Sequence, residues 1–385
     1  MRIPRSLSNL CSLIVALGAA PLQAQPASLV YRLGKDTVAI EQYTRTAKSL
    51  TGEMVQRSGA AVVRVQYDVT IGGDGRPAAA TIRRLQADGT AIPNAPTETR
   101  LRVGADSVTR EIVWPDSVQR RAFAAQKALL NFPVFVYGPV ELLASIRRAG
   151  GATDSVAALG ATGNLGFTGI TPIGGDSIRL RGGTYAMVMR FDANGRLLLV
   201  DGALTTNKAY ATRGTGGTDL AAIARTMKPT GVLSARDVAR GAFGPGGMVL
   251  VDYGRPLVRE RSVWGGLLVP FDSVWRAGAN DATHLFTTRT LTMGSLVVPN
   301  GMYSLWVQHT RNGTFLIVNK GTGQWGTAYD PSQDLGRVAM LVGPAPSHVE
   351  ELTYTVRALG ANRGAIELAW GASVAAVPFT VSAGR

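Results

Sequence analysis

Apolar and polar residues alternate at a period of two through most of this chain, as in Val62-Val63-Arg64-Val65-Gln66-Tyr67-Asp68-Val69, in Tyr303, Leu305 and Val307, and in Leu352, Tyr354 and Val356. A strand turns successive side chains to opposite faces, so this pattern buries one face of an antiparallel sheet and leaves the other wet. Gly72-Gly73-Asp74-Gly75 and Asp88-Gly89 interrupt the alternation with residues that accept positive φ, as tight hairpins require. They read as turn punctuation, not as a phosphate cradle. Two stretches break the period. Residues 118–131, behind Asp116 and Ser117 as N-caps, and residues 140–148, behind Pro139, carry apolar residues at helical spacing and predict two helices; residues 220–227 predict a third, short one.

A chain of 385 residues exceeds what one hydrophobic core usually supports. Glycine-rich runs at 213–217 and 243–247 divide it. The expected organisation is a signal peptide over 1–24, an antiparallel β domain with helices over 25–212, a linker with a short helix over 213–245, and a domain of eight short strands over 246–385. The fold class is mainly β: an N-terminal antiparallel sheet with two or three helices, followed by a C-terminal β-sandwich or jelly-roll-like domain. Periplasmic half-barrels that wrap helices around an apolar cavity show a similar order of elements, which is a fold-level analogy.

Arg2 and Arg5 precede an apolar run over 10–20, and the small residue Ala24 follows it, which is the pattern of a secretory signal. The run is shorter than the roughly 20 residues that cross a bilayer. The expectation is an exported protein, periplasmic or secreted, beginning near Gln25 and without a transmembrane segment. Removal of Cys11, the only cysteine, leaves neither a disulfide nor a lipid anchor.

The formal charge is +14, and the excess lies early: residues 26–244 carry 27 Lys and Arg against 17 Asp and Glu, residues 245–385 only 11 against 9. Such a balance suits acidic partners. The arginines, however, alternate with apolar residues in strands instead of clustering, and no nucleic-acid-binding motif occurs. A solvated surface and no nucleic-acid partner are expected.

The C-terminal part carries ordered motifs: Asp252-Tyr253-Gly254-Arg255-Pro256 with Arg259, Val274-Trp275-Arg276, Gly278-Ala279-Asn280 with Ala282-Thr283, Gly301-Met302-Tyr303-Ser304-Leu305, Asn319-Lys320, Gln324-Trp325-Gly326 and Tyr329-Asp330. In order and spacing these closely resemble the bacterial family called domain of unknown function 2911, over residues 246–381. Two departures are visible: Glu260 stands where that family usually has glycine, and Asn300 where it usually has alanine. The resemblance implies an exported bacterial protein and carries no established reaction, cofactor or catalytic residue.

Arg255, Arg259, Arg276, Asn280, His284, Asn319, Lys320, Gln324, Trp325 and Asp330 all fall near predicted strand ends, where the loops of a sandwich converge. Guanidinium forks bind carboxylate or phosphate, amides read hydroxyls and indoles stack on rings, so together they would suit a small anionic ligand or a glycan. The competing reading pairs the arginines with Asp252, Asp272 or Asp281 as loop staples and makes the tryptophans core. Catalysis is harder to assemble. The mature chain has no thiol, its three histidines share no metal-ligand spacing, and no GxSxG, HExxH or Walker pattern occurs. Asp192-Ala193-Asn194-Gly195 lacks the remaining ligands of a calcium loop. A binding or scaffold protein without cofactor or metal is the preferred reading. The alternative is a hydrolase-like enzyme using His284 with Asp281 or Asp330.

Overall fold

The computed structural model describes residues 26–126, 128–133, 135–144, 153–182, 185–203, 205, 207–214 and 216–383. The signal reading of residues 1–24 lies outside them. Among these residues, fifteen strands between Pro26 and Gly214 form one sheet. The first eight meander outward to Val118–Ala124, the last seven run back from Leu129–Leu130, and the two runs join where Pro26–Leu33 pairs with Tyr210–Gly214. The two sheet edges are thus neighbours in sequence. Laid flat, fifteen strands would span about 67 Å, whereas residues 125–128 reach only about 17 Å. The sheet therefore has to roll. Across the seam, Arg110 of Ser107–Val113 donates from Nη1 to the Gly163 carbonyl at 2.5 Å.

The inner face carries Leu29, Leu50, Met54, Leu101, Phe191 and Leu197, packed with Val136, Leu142 and Leu143 of the segment 135–144. That segment is tied in by two fully buried carboxylates. Glu41 accepts from the Tyr31 hydroxyl, the Tyr67 hydroxyl at 2.5 Å, and the backbone N–H groups of Tyr137 and Gly138 at 3.0 and 2.9 Å. Glu141 accepts from the Tyr43 hydroxyl at 2.6 Å, Arg196 at 3.0 Å, Arg213 at 3.3 Å and the Leu197 N–H at 3.0 Å, with Arg45 at 3.5 Å.

The helix expected over 118–131 is not formed. Val118–Ala124 is an edge strand with its side chains largely exposed, registered so that Arg120 lies opposite Glu111 and bonds to it at 2.8 Å. Cross-strand pairing outweighs a helical spacing built mostly from alanines. The helix expected over 140–148 is a 3-10 turn at Gly138–Leu143, and residues 145–150 lie outside the described set. The third helix is present at Leu220–Thr226, capped by Asp219.

Beyond it, a seven-stranded and a four-stranded sheet share a second core that contains Val249, Val251, Leu305, Leu316, Leu368 and Trp370. Arg236–Ala242, inside the stretch read as linker, is the edge strand of the larger sheet, paired with Met248–Gly254. The smaller sheet is dominated by the long hairpin of Leu341–Gly360 and Arg363–Val381. Among the described residues no helix is long and apolar enough to cross a membrane. Truncation of Glu141 would strand three partly buried guanidinium groups and a tyrosine hydroxyl. Glu141→Ala is therefore expected to lower the unfolding free energy by about 3–5 kcal/mol, measured by urea titration.

Candidate functional site

The loop that follows Met248–Gly254 carries two successive residues in the left-handed region, Arg259 (φ 50°) and Glu260 (φ 58°). It meets the hairpin turn after Pro26–Leu33. Gly34 lies so close to the Arg259 carbonyl that a methyl group there would overlap it. Arg259 pairs with Asp36, and Glu260 with Lys35. The glycine usual at position 260 fits a left-handed backbone; glutamate strains it and gains an exposed ion pair to the other half of the chain.

Beside this contact lies a cavity of about 620 Å³ with walls from both halves. Among the described residues five cations line it, Arg57 and Lys208 from the rolled sheet and Arg259, Arg261 and Arg276 from the sandwich, and no carboxylate does. Arg57 donates to the Lys228 carbonyl at 2.7 Å and Arg261 to the Val258 and Leu257 carbonyls at 2.9 and 2.7 Å. Lys208 donates to the Ala203 and Leu267 carbonyls at 3.1 and 3.2 Å. Burial, reinforced by the charges of Arg276 and Arg261, pulls the Lys208 ammonium down to about 8. The Arg261 guanidinium falls to about 10, chiefly by burial.

Arg276 is the exception among them. It is 7% exposed, burial alone lowers its guanidinium to about 10, and among the described residues its Nε has no partner. Gly326 of the Gln-Trp-Gly motif makes room for it, since a side chain there would overlap the Arg276 stem and the Asn280 carbonyl. The adjoining wall is aromatic. Trp275 and Trp370 stack with centroids 5.5 Å apart at 14°, and the buried Trp370 Nε1 also lacks a partner.

Of the ten residues singled out in the sequence, the cavity gathers Arg259, Arg276 and Asn280, whose amide donates to the Ser234 carbonyl at 3.4 Å. Arg255 is a staple, held by Asp237 at 3.4 Å and Glu351 at 3.1 Å. Asn319 bonds the Asp330 carbonyl and the Asp334 carboxylate at 2.8 and 2.9 Å, and Gln324 bonds the Ser304 hydroxyl at 3.0 Å. Asp330 caps the 3-10 turn Pro331–Gln333 by accepting from Ser332. Lys320 and Trp325 are exposed and lie outside the cavity. His284 is also outside it. Its Nε2 accepts the Gly323 N–H at 3.0 Å, which occupies the lone pair a general base would use. Burial lowers its pKa, and Asp252, at 4.0 Å, is already bound bidentately by Arg236. The Asp192 turn uses its carboxylate on the Asn194 and Arg196 N–H groups. Arg57, Lys208 and Arg261 were not singled out; only Arg261, two residues beyond Arg259 in the same arginine motif, carried a sequence signal.

Residues 234–379 match the family model described as "Protein of unknown function (DUF2911)". The C-terminal half of the cavity thus belongs to a DUF2911 region. The rolled sheet lies outside that match. No curated protein matches the chain. Among solved structures, a duf1089 family protein from Pseudomonas aeruginosa is similar over 43% of this chain and 90% of its own, at 11% identity and a TM-score of 0.33. At that distance it bears on neither fold nor function. Within the DUF2911 region, returning position 260 to glycine removes a left-handed glutamate at the loss of an exposed ion pair. Glu260→Gly is expected to raise stability by about 1 kcal/mol, read as a higher urea midpoint.

Proposed function

We propose that this is an exported, non-catalytic binding protein whose ligand is a small anion seated between the rolled sheet and the sandwich. The observation that carries the reading is Arg276, a guanidinium buried in a cavity without a counter-charge. Such a group is costly, and a ligand that supplies the missing charge recovers that cost. Among the described residues the lining holds no carboxylate, imidazole or thiol, which supports binding in preference to turnover. A neutral glycan is less suited, because it leaves Lys208, Arg261 and Arg276 without a counter-charge. Export rests on the N-terminal charge and hydropathy pattern.

Sulfate tests the reading, because its charge is constant over the relevant pH range. At 100 times its dissociation constant a bound anion adds about 2.7 kcal/mol of stability. Sulfate is expected to raise the melting temperature of the native chain more than that of Arg276→Gln. Without sulfate the variant should melt at the same temperature or higher, because an uncompensated charge has gone. A variant that melts lower and responds equally to sulfate would mean that Arg276 is structural.

The response should also depend on pH. Lys208 is cationic below about 8 and neutral above it, so sulfate affinity should fall as pH rises through that value, by up to about tenfold between pH 7 and pH 9. The sign for the unliganded protein is opposite. A lysine whose folded pKa lies below its unfolded value penalises folding when protonated, and that penalty fades from about 8 toward the ordinary lysine range. Calorimetric titration with sulfate at pH 7 and pH 9 checks the affinity, and urea midpoints without sulfate at the same two pH values check the stability, each on the native chain and on Lys208→Met; the variant should show neither change.

A further inference from the structure

Lys208, Arg261 and Arg276 enter the cavity from three separate segments: the turn before Tyr210–Gly214, the loop after Met248–Gly254, and the residue after Val274–Trp275. Among the described residues none of the three has a carboxylate within ion-pair distance, whereas Arg259 beside them is matched by Asp36. Arg261 and Arg276 lie near enough to Lys208 for their charges to repel its ammonium. Around this group the wall is apolar, with the stacked Trp275 and Trp370, Phe135, Leu257 and Leu268.

We propose that the ligand is a phosphomonoester with a flat apolar body, its phosphoryl group held by Lys208, Arg261 and Arg276 and its body lying along Trp275, Trp370 and Phe135. This assignment rests on the reading that the cavity binds an anion. Charge and shape both select the headgroup. A carboxylate brings one charge and two oxygens and leaves at least one of the three cations unmatched. A phosphomonoester brings up to two charges and three terminal oxygens, one for each cation, and guanidinium forks fit its oxygens in pairs. Size and polarity select the body. Inorganic phosphate would fill a small part of 620 Å³ and leave the indole wall and its apolar neighbours without a partner.

Calorimetric titration of the full chain at pH 7 with 1-naphthyl phosphate, 1-naphthoate, 1-naphthol and inorganic phosphate decides it. Naphthyl phosphate should bind about tenfold or more tightly than naphthoate and than inorganic phosphate. Arg261→Gln and Arg276→Gln, each confirmed as folded by circular dichroism, should each remove its advantage over naphthoate. Equal binding of naphthoate and naphthyl phosphate, with both weakened in Arg276→Gln, overturns the phosphomonoester and leaves the anion site standing. Equal binding of inorganic phosphate and naphthyl phosphate overturns the apolar body. Naphthol binding as tightly as the anions, or no binding by any of the four, overturns the anion site as well.

Discussion

Two carboxylates with no solvent exposure hold the rolled sheet around its contents. A buried carboxylate is tolerable only when its lone pairs are filled, and Glu41 and Glu141 are filled by groups far apart in the chain that the pairing of Pro26–Leu33 with Tyr210–Gly214 brings to the middle of the sheet. The tyrosines that bind them, Tyr31, Tyr43 and Tyr67, sit on early strands. Arg196 and Arg213 belong to the last part of the sheet, and the backbone donors Tyr137 and Gly138 to the segment that fills the interior. Burial pushes the Glu41 carboxyl up while its four donors pull it back. The two networks tie the segment that fills the interior to the strands on either side of the Pro26–Leu33 and Tyr210–Gly214 pairing. The roll is closed by residues 125–128 and kept in shape by the two glutamates.

A sheet rolled around its own core presents its polar face outward, and the sandwich does the same. Two such surfaces meet through loops and turns. Here the turn at Gly34 seats against the left-handed loop at Arg259, with Asp36 and Lys35 closing the ion pairs on either side. The contact at Gly34 and Arg259 is made by backbone and leaves the space beside it open. The cavity is that space. Its walls combine the apolar ends of strands with the long cationic side chains that border any loop contact, and this explains how an aromatic floor and five cations come to share one space.

The period-two pattern made the β class and most C-terminal strands legible, because half-buried antiparallel strands write their geometry directly into the sequence; it missed Arg236–Ala242, Val274–Trp275 and Leu296–Val298, and it broke the long strands Leu341–Gly360 and Arg363–Val381 into short ones. The same rule failed at residues 118–131. There Arg120 and Arg121 sit on an exposed edge, so no buried face constrains the spacing, and alanines fall at a helical period without meaning. Strand order was invisible for a different reason: the pairing of Pro26–Leu33 with Tyr210–Gly214 joins residues far apart in the chain and leaves no local trace. The ordered motifs pointed to Arg276 and Asn280, yet also to Arg255, Asn319, Gln324 and Asp330, which are satisfied within the sandwich. Lys208 escaped notice because its importance comes from the half of the chain that packs against it.

Net charge proves a poor guide to where an anion would go. Most of the arginines behind the +14 are ordinary: Arg83 with Asp68, Arg120 with Glu111 and Arg357 with Glu367 pair across strands in solvent, where such contacts contribute little. Arg255 and Arg276 stand 21 positions apart in the same motif series, and nothing in the local sequence ranks one above the other. Two acids, Asp237 and Glu351, converge on Arg255 from neighbouring strands and neutralise it. Arg276 has a glycine beneath its stem, an indole stack beside it and other cations across the cavity. The difference is one of counter-charge and not of residue type. A folded chain can carry an uncompensated buried cation when the rest of its structure over-determines the position. Here Gly326 and the stacked indoles do so, holding the guanidinium against a space that an anion could fill.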